Sequence, residues 1–257
     1  MLPILYHDDW LVAIDKPPGL LVHRSDLDRH ETRFAVQLLR DQLGRRVYPV
    51  HRLDKGTSGV LLFAFDPAIV RALAEQFETG AVEKTYRAVV RGWPPEAGMI
   101  EHPLTRKFDA YGRQLPAAEP QPAITHYRQL ATIELPVCID RYPTSRYALV
   151  ELRPLTGRQH QLRRHMKHIG HPMIGDATYG KGVHNRFFQR EFGCSRLLLA
   201  CMHLGFIHPV TGEKVGAGGT AGDPFAQCPG LSERFDWSQA AAPAPAARPL
   251  AKQAVSR

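Results

Sequence analysis

At 257 residues, with 44% hydrophobic and 23% charged side chains, the chain is long enough for one large catalytic domain or two small ones around a substantial core. Lys and Arg outnumber Asp and Glu by 33 to 25, a formal charge of +8, which fits nucleic acid, an anionic membrane or simply a mildly basic enzyme. No apolar run approaches the length of a membrane span, and the start MLPILYHDD lacks the basic and apolar regions of a leader, so nucleic acid gains over a membrane as partner.

The four cysteines, Cys138, Cys194, Cys201 and Cys228, form no CxxC pair and no zinc-ribbon spacing, and are expected as reduced thiols in the cytoplasm. Trp10-Leu11-Val12-Ala13-Ile14 predicts a strand, stopped by the turn Lys16-Pro17-Pro18-Gly19. Phe34 to Leu43 has helical spacing, with Gly44 as its stop. Gly59-Val60-Leu61-Leu62-Phe63-Ala64-Phe65 is an apolar run short enough to be a buried strand. Asp66-Pro67 then supplies an N-cap and a first-turn proline for a helix whose buried face is Ile69, Leu73 and Phe77, closed by Gly80.

Val82 to Arg91 predicts a strand with Lys84, Tyr86, Ala88 and Val90 on one face. Tyr147 to Arg153 predicts another. Thr156-Gly157-Arg158-Gln159 matches a capping box, opening a helix with Leu162, Met166 and Ile169 on its inner stripe and Gly170 at its end. A flexible insertion is expected near residues 107–122, a Gly-rich loop at 216–222, and a disordered Ala/Pro-rich tail over 237–257. Strands and helices mix without a regular βαβ rhythm, which predicts an α+β fold.

The densest chemical signal is His51-Arg52-Leu53-Asp54-Lys55-Gly56-Thr57-Ser58-Gly59, a polar loop just before a strongly apolar strand. Its Gly/Lys/Ser spacing is wrong for a phosphate-binding Walker loop and no helix follows it. Aspartate can act as a covalent nucleophile when it is oriented and desolvated, although an ordinary Asx turn would use the same residues.

Four segments in this order resemble the RluA-type pseudouridine synthases: Lys16-Pro17-Pro18-Gly19, His51-Arg52-Leu53-Asp54 with Thr57-Ser58-Gly59, Lys84-Thr85-Tyr86, and Gly157-Arg158-Gln159-His160-Gln161-Leu162-Arg163. The resemblance covers residues 2 to 236. It implies one catalytic domain over residues 1–236, with a mixed, largely antiparallel sheet flanked by helices and an RNA-binding cleft. It also implies that Asp54 is the nucleophile, that Tyr86 stacks on the base and assists proton removal, and that Arg163 pairs with Asp54. Arg52 would lie near the flipped base or its phosphate, with Lys16, Arg158, Arg164 and Lys167 as further RNA contacts.

Two subtler features, Arg141-Tyr142-Pro143-Thr144-Ser145-Arg146-Tyr147 and Arg163-Arg164-His165, resemble the branch of the family that modifies uridine 65 of tRNA. So does a start directly at the catalytic domain, without a preceding S4-type domain. A tRNA is therefore the expected partner, and ribosomal RNA the alternative. One departure stands out: where the family usually has Leu-His-Ala before a late strand, this chain has Leu199-Ala200-Cys201.

Making the C-glycoside breaks the N1–C1′ bond, turns the uracil and joins C5 to C1′. That needs a carboxylate, a base for the C5 proton and a closed pocket, and it implies no cofactor and no metal. Attack at C1′, addition at C6 and a glycal route all use the same carboxylate. Aspartate is ionised at neutral pH without help, so Arg163 is expected to orient it and offset its burial, and a planar guanidinium can do so bidentately.

Two rival readings remain at this level. His160, His165, His168 and His171 cluster on one segment, but their spacing matches no zincin motif and no Asp, Glu or Cys lies among them. A non-catalytic RNA-binding module would be expected to lack the nucleophile. A monomer is expected.

Overall fold

Strand β4 (Ser58–Ala64) is buried at all seven positions, and the sheet is built outward from it. The computed structural model describes residues 1–24, 30–106, 115, 119–218, 225, 228 and 231. The 237–257 tail, and most of the expected insertion near 107–122, lie outside these residues. So does the domain boundary at 236, together with the far half of the Gly-rich loop.

The described elements run β1 (Ile4–His7), β2 (Leu11–Lys16), α1 (Ala35–Leu43), β3 (Tyr48–Pro49), β4, α2 (Pro67–Glu78), β5 (Glu83–Arg91), β6 (Ala97–Glu101), β7 (Ile124–Leu135) and β8 (Ser145–Pro154). They continue with α3 (Gln161–His168), α4 (Gly182–Phe192), β9 (Leu199–Ile207) and β10 (Lys214–Gly218). The ten strands form one sheet in the order β1-β2-β4-β9-β5-β8-β7-β6, with β3 on β4 and β10 on β9. Among the described strands only the β4–β9 pairing is parallel, so the expected mixed, largely antiparallel α+β architecture is what the chain adopts. That pairing is very close: a Cβ on Gly59 would stand 2.0 Å from the Cys201 carbonyl oxygen, and Gly59 has φ +99°, so glycine is required there.

Local rules explain most element ends. Asp66 accepts a hydrogen bond from the Ala68 amide at 2.6 Å with Pro67 in the first turn of α2, and Gly44 ends α1 in the left-handed region. The capping box at Thr156 does not form. Helix α3 begins only at Gln161, behind His160 at φ +54°, and Thr156 instead donates to the Gln161 side chain at 2.7 Å. Gln161 is buried and also receives the Arg158 amide at 2.9 Å, so its side chain organises the loop that a regular cap would otherwise have ended.

Three apolar clusters fill the interior. One joins β2 and β4 to Leu39 of α1 and Leu73 of α2, and a second gathers Phe187, Phe188 and Phe192 of α4 beneath β8 and β9. The third sets Leu162 and Met166 of α3 on Ala88 and Val150 of the sheet. Cys194 and Cys228 are joined as a disulfide, which corrects the expectation of four free thiols; Cys138 is free and exposed, and Cys201 free and buried.

Candidate active site

Asp54 sits in the loop that delivers the chain into β4. The loop is closed by the Thr57 amide donating to the Asp54 carbonyl at 3.0 Å, and it is tied to the Pro17–Gly19 turn by the Gly19 amide on the Lys55 carbonyl at 2.8 Å. Below it, the Leu62 amide donates to His51 Nε2 at 3.1 Å, and the His51 ring stacks on Phe77. Burial pulls the His51 pKa down to about 3, so the ring is neutral and free to accept that bond.

Lys16 corrects an expectation. It is fully buried, and its ammonium donates to the carbonyls of Pro17, Leu20 and Lys55 at 2.9, 2.8 and 3.3 Å. Burial, reinforced by nearby Arg196, lowers its pKa to about 7. Lys16 therefore pins the early turn to the Asp54 loop and presents nothing to an RNA phosphate.

Across the cleft, α3 brings Arg163 to Asp54, with Nη1 donating to Oδ2 at 3.0 Å. The bidentate grip expected for Asp54 goes elsewhere: Arg163 Nε and Nη2 hold Asp176 at 2.7 and 2.9 Å. Asp176 is the functional neighbour that motif reading missed. Its side chain is fully buried, and it also accepts the amides of Thr178 and Tyr179 at 2.9 Å. Burial opposes its ionisation, but the hydrogen bonds from Arg163 and from Tyr179 and Thr178 outweigh that, so its carboxyl stays below the usual range. Gly175 makes this placement possible, since a Cβ there would lie 1.8 Å from the Arg196 carbonyl oxygen. The sequence signal was Gly175-Asp176, a turn dipeptide just beyond α3.

Tyr86 of β5 faces the same cavity, partly buried against the first and third clusters. The departure at Cys201 acquires a meaning here. Cys201 lies opposite Tyr86 in the β5–β9 ladder, and its thiol donates toward the His203 carbonyl. Burial, then Cys201 and Asp54, push the Tyr86 phenol well above its ordinary value, so it is not a phenolate at neutral pH. His160 completes the wall, with Nε2 3.8 Å from Asp54 and Nδ1 3.1 Å from the Tyr179 hydroxyl; burial keeps its pKa low.

The cavity measures about 120 Å³. That is below the roughly 300–1,000 Å³ of typical small-molecule pockets and suits a single ring. Arg52, exposed at its edge, and Arg158 line it. Arg158 is anchored by Nε to the Pro122 carbonyl at 3.1 Å. Of the other expected rim cations, Lys167 is exposed and lies over the Tyr179 ring, whereas Arg164 donates to the Thr105 carbonyl at 2.9 Å. The four histidines of the metal reading diverge: His165 bonds Thr125 and the His102 carbonyl, His168 stacks on His102, His171 bonds the Arg91 carbonyl, and His160 stays at the site. Among the described residues no group of three or more His, Cys, Asp or Glu is arranged to hold a metal, and no helix is long and apolar enough to cross a membrane.

A polar loop carrying an aspartate, an arginine paired to it from a helix and a tyrosine on the adjoining sheet meet around one small cleft, and residues 10–168 match the family model described as RNA pseudouridylate synthase. The chain belongs to that family and is an isomerase acting on RNA uridine. It is 49% identical over 240 residues to "tRNA pseudouridine synthase C" of Yersinia pestis, covering 93% of this chain and 92% of the relative. It is 50% identical over 213 residues to the protein of the same name in Vibrio cholerae, covering 82% and 87%. Among solved structures, "Human RNA Pseudouridylate Synthase Domain Containing 1" superposes with a TM-score of 0.67 at 27% identity, covering 88% of this chain and 84% of the other.

Proposed function

We propose that the protein converts a uridine of tRNA, at position 65, to pseudouridine, with the Asp54 carboxylate as the attacking group. The observation that carries this reading is the Asp54 carboxylate, held at 3.0 Å by an arginine that is itself locked on a buried aspartate, opening into a ring-sized cavity beside Tyr86. The names of the relatives supply the tRNA.

A paired uridine is out of reach in its helix, so it swings out at a cost of a few kcal/mol. Arg52, exposed at the cleft edge, and the exposed Lys167 offset that cost on phosphates, and binding weakens steeply with salt. Asp54 attacks the bound nucleoside, the N1–C1′ bond breaks, and the walls keep the detached uracil in place while it turns. C5 of the turned uracil then attacks C1′, the bond from C1′ to the Asp54 oxygen breaks and returns the carboxylate, and the C5 proton passes to water while N1 takes one up. Arg163 keeps one Asp54 oxygen occupied and leaves the other, Oδ1, toward the cavity and His160. Tyr86 acts as a neutral phenol, offering a ring face to the base. The same reading has the enzyme cytoplasmic and monomeric, working without cofactor or metal, its catalytic domain spanning residues 1–236.

The test is a deletion strain with transcript-wide chemical mapping of pseudouridine, complemented by wild type and by Asp54→Asn. Loss at one tRNA position, restored only by wild type, is expected. Loss confined to ribosomal RNA overturns the tRNA assignment.

A further inference from the structure

We propose that a second cavity, at the opposite end of β5 and α3 from Asp54, is an RNA subsite that receives an unpaired nucleotide of the substrate other than the reacting uridine. This rests on RNA being the substrate. The cavity measures about 460 Å³, within the range of built ligand sites. It lies where Arg91 ends β5, where His171 follows α3, and where the 140–146 segment meets His184 of α4. The segment is the Arg141-to-Tyr147 motif, which the Asp54 cleft does not use.

Three features define its ligand. First, His184 is 4% exposed, and its Nδ1 is hydrogen-bonded to the Tyr147 hydroxyl at 2.8 Å, yet Nε2 has no partner. A buried ring nitrogen left unmatched is costly in either tautomer; His184 lines the cavity but its Nε2 is closed to solvent, so a polar base edge would reach it only with a small displacement of the cavity wall. Burial lowers the His184 pKa to about 4, so it is neutral and suited to a neutral edge rather than to a carboxylate. Second, Lys181 and Arg91 share one carboxylate, Asp140, at 2.9 and 3.7 Å, which leaves positive charge for a phosphate. Third, Arg146 of the lining pairs with Glu134 at 3.1 Å and lies 4.4 Å over the ring of Trp93 beside the cavity, with Trp93 40% and Tyr142 61% exposed. Flat aromatic and guanidinium surfaces stack bases that have left their helix. A stacking platform, an excess cation and a neutral hydrogen-bonding wall together match a nucleotide, and the concave shape admits one base rather than a duplex.

Distance fits a separate position on the RNA. Helix α3 spans eight residues, about 12 Å of rise, between the Arg163 end and the His171 end. The subsite therefore reads a nucleotide displaced from the target.

The experiment uses the full chain as Asp54→Asn with tRNA transcripts made with 4-thiouridine, irradiated, and the crosslinks mapped by mass spectrometry. A crosslink between the 140–146 segment and a nucleotide other than the target uridine is expected. In the otherwise wild-type enzyme, Tyr142→Ala and His184→Phe should raise KM for the transcript about five- to tenfold and leave kcat unchanged. Because Tyr142 is on the surface, its variant folds whether or not the His184 variant does. No crosslink to the segment, a crosslink only to the target uridine, or an unchanged KM in Tyr142→Ala overturns the proposal. Failure of the wild-type enzyme to form pseudouridine in tRNA would instead defeat the functional reading, while a crosslink to the segment would still establish RNA at this cavity.

Discussion

The two cavities differ in how their polar groups are matched. Around Asp54 the supporting groups are matched: Arg163 bridges two carboxylates, Asp176 accepts four hydrogen bonds, and His160 bonds the Tyr179 hydroxyl. At the far end of the same helix a buried imidazole nitrogen is left open and two cations share one acid. A site that performs chemistry is stiff before substrate arrives, because orientation accounts for much of the rate. A site that only recognises can leave a partner missing until binding supplies it.

The sharpest way to break this contrast is Asp54→Asn, which keeps shape but removes the attacking charge. Pseudouridine formation should fall by at least about 10⁴-fold while filter-binding affinity for tRNA changes less than about threefold. Full turnover in that variant would remove the basis for the cleft. Next comes Asp176→Asn, which leaves Arg163 poorly held beside a buried site. Activity should fall about 10²-fold and chemical denaturation should show a loss on the order of 3 kcal/mol, while an Asp54 variant loses much less stability.

Tyr86→Phe tests stacking against proton transfer. A positioned general base contributes about 10² to 10⁴ in rate, whereas loss of the hydroxyl from a phenol that only stacks should lower kcat by about tenfold or less. A larger fall would mean that the oxygen takes part in moving the proton. The smallest effect concerns acid. His51 is neutral in the fold with a pKa lowered to about 3, so as pH falls through about 6.5 the unfolded chain protonates first. Its contribution is complete above that pH and drains away toward pH 3. Thermal midpoints measured between pH 7 and 5 should therefore drop less for His51→Gln than for wild type, by the equivalent of about 1–2 kcal/mol.

Much of this could be read from the chain because the relevant signals are local. Asp66-Pro67, Gly44 and the apolar 59–65 run act within a few residues, and Asp54, Tyr86 and Arg163 stand in motifs. What escaped reading depends on distant partners. Strand β7 slips register between Gln129 and Ala131, which breaks the alternation that marks a strand. Helix α4 has no side-chain cap, so its start carries no mark. Lys16 looked like a surface cation because nothing nearby in sequence reveals that the Lys55 carbonyl, 39 residues on, waits for its ammonium. Asp176 competes with Asp54 for the same guanidinium only once α3 and the loop after it have packed.

One consequence concerns synthesis. Strand β9 lies between β4 and β5 in the sheet, although it is made after both, and the family match ends at residue 168, before β9 begins. The strand that separates the Asp54 loop from the Tyr86 strand therefore leaves the ribosome after both of them. The enzyme has no working half: its two chemical walls acquire their spacing only when nearly the last of the sheet is translated.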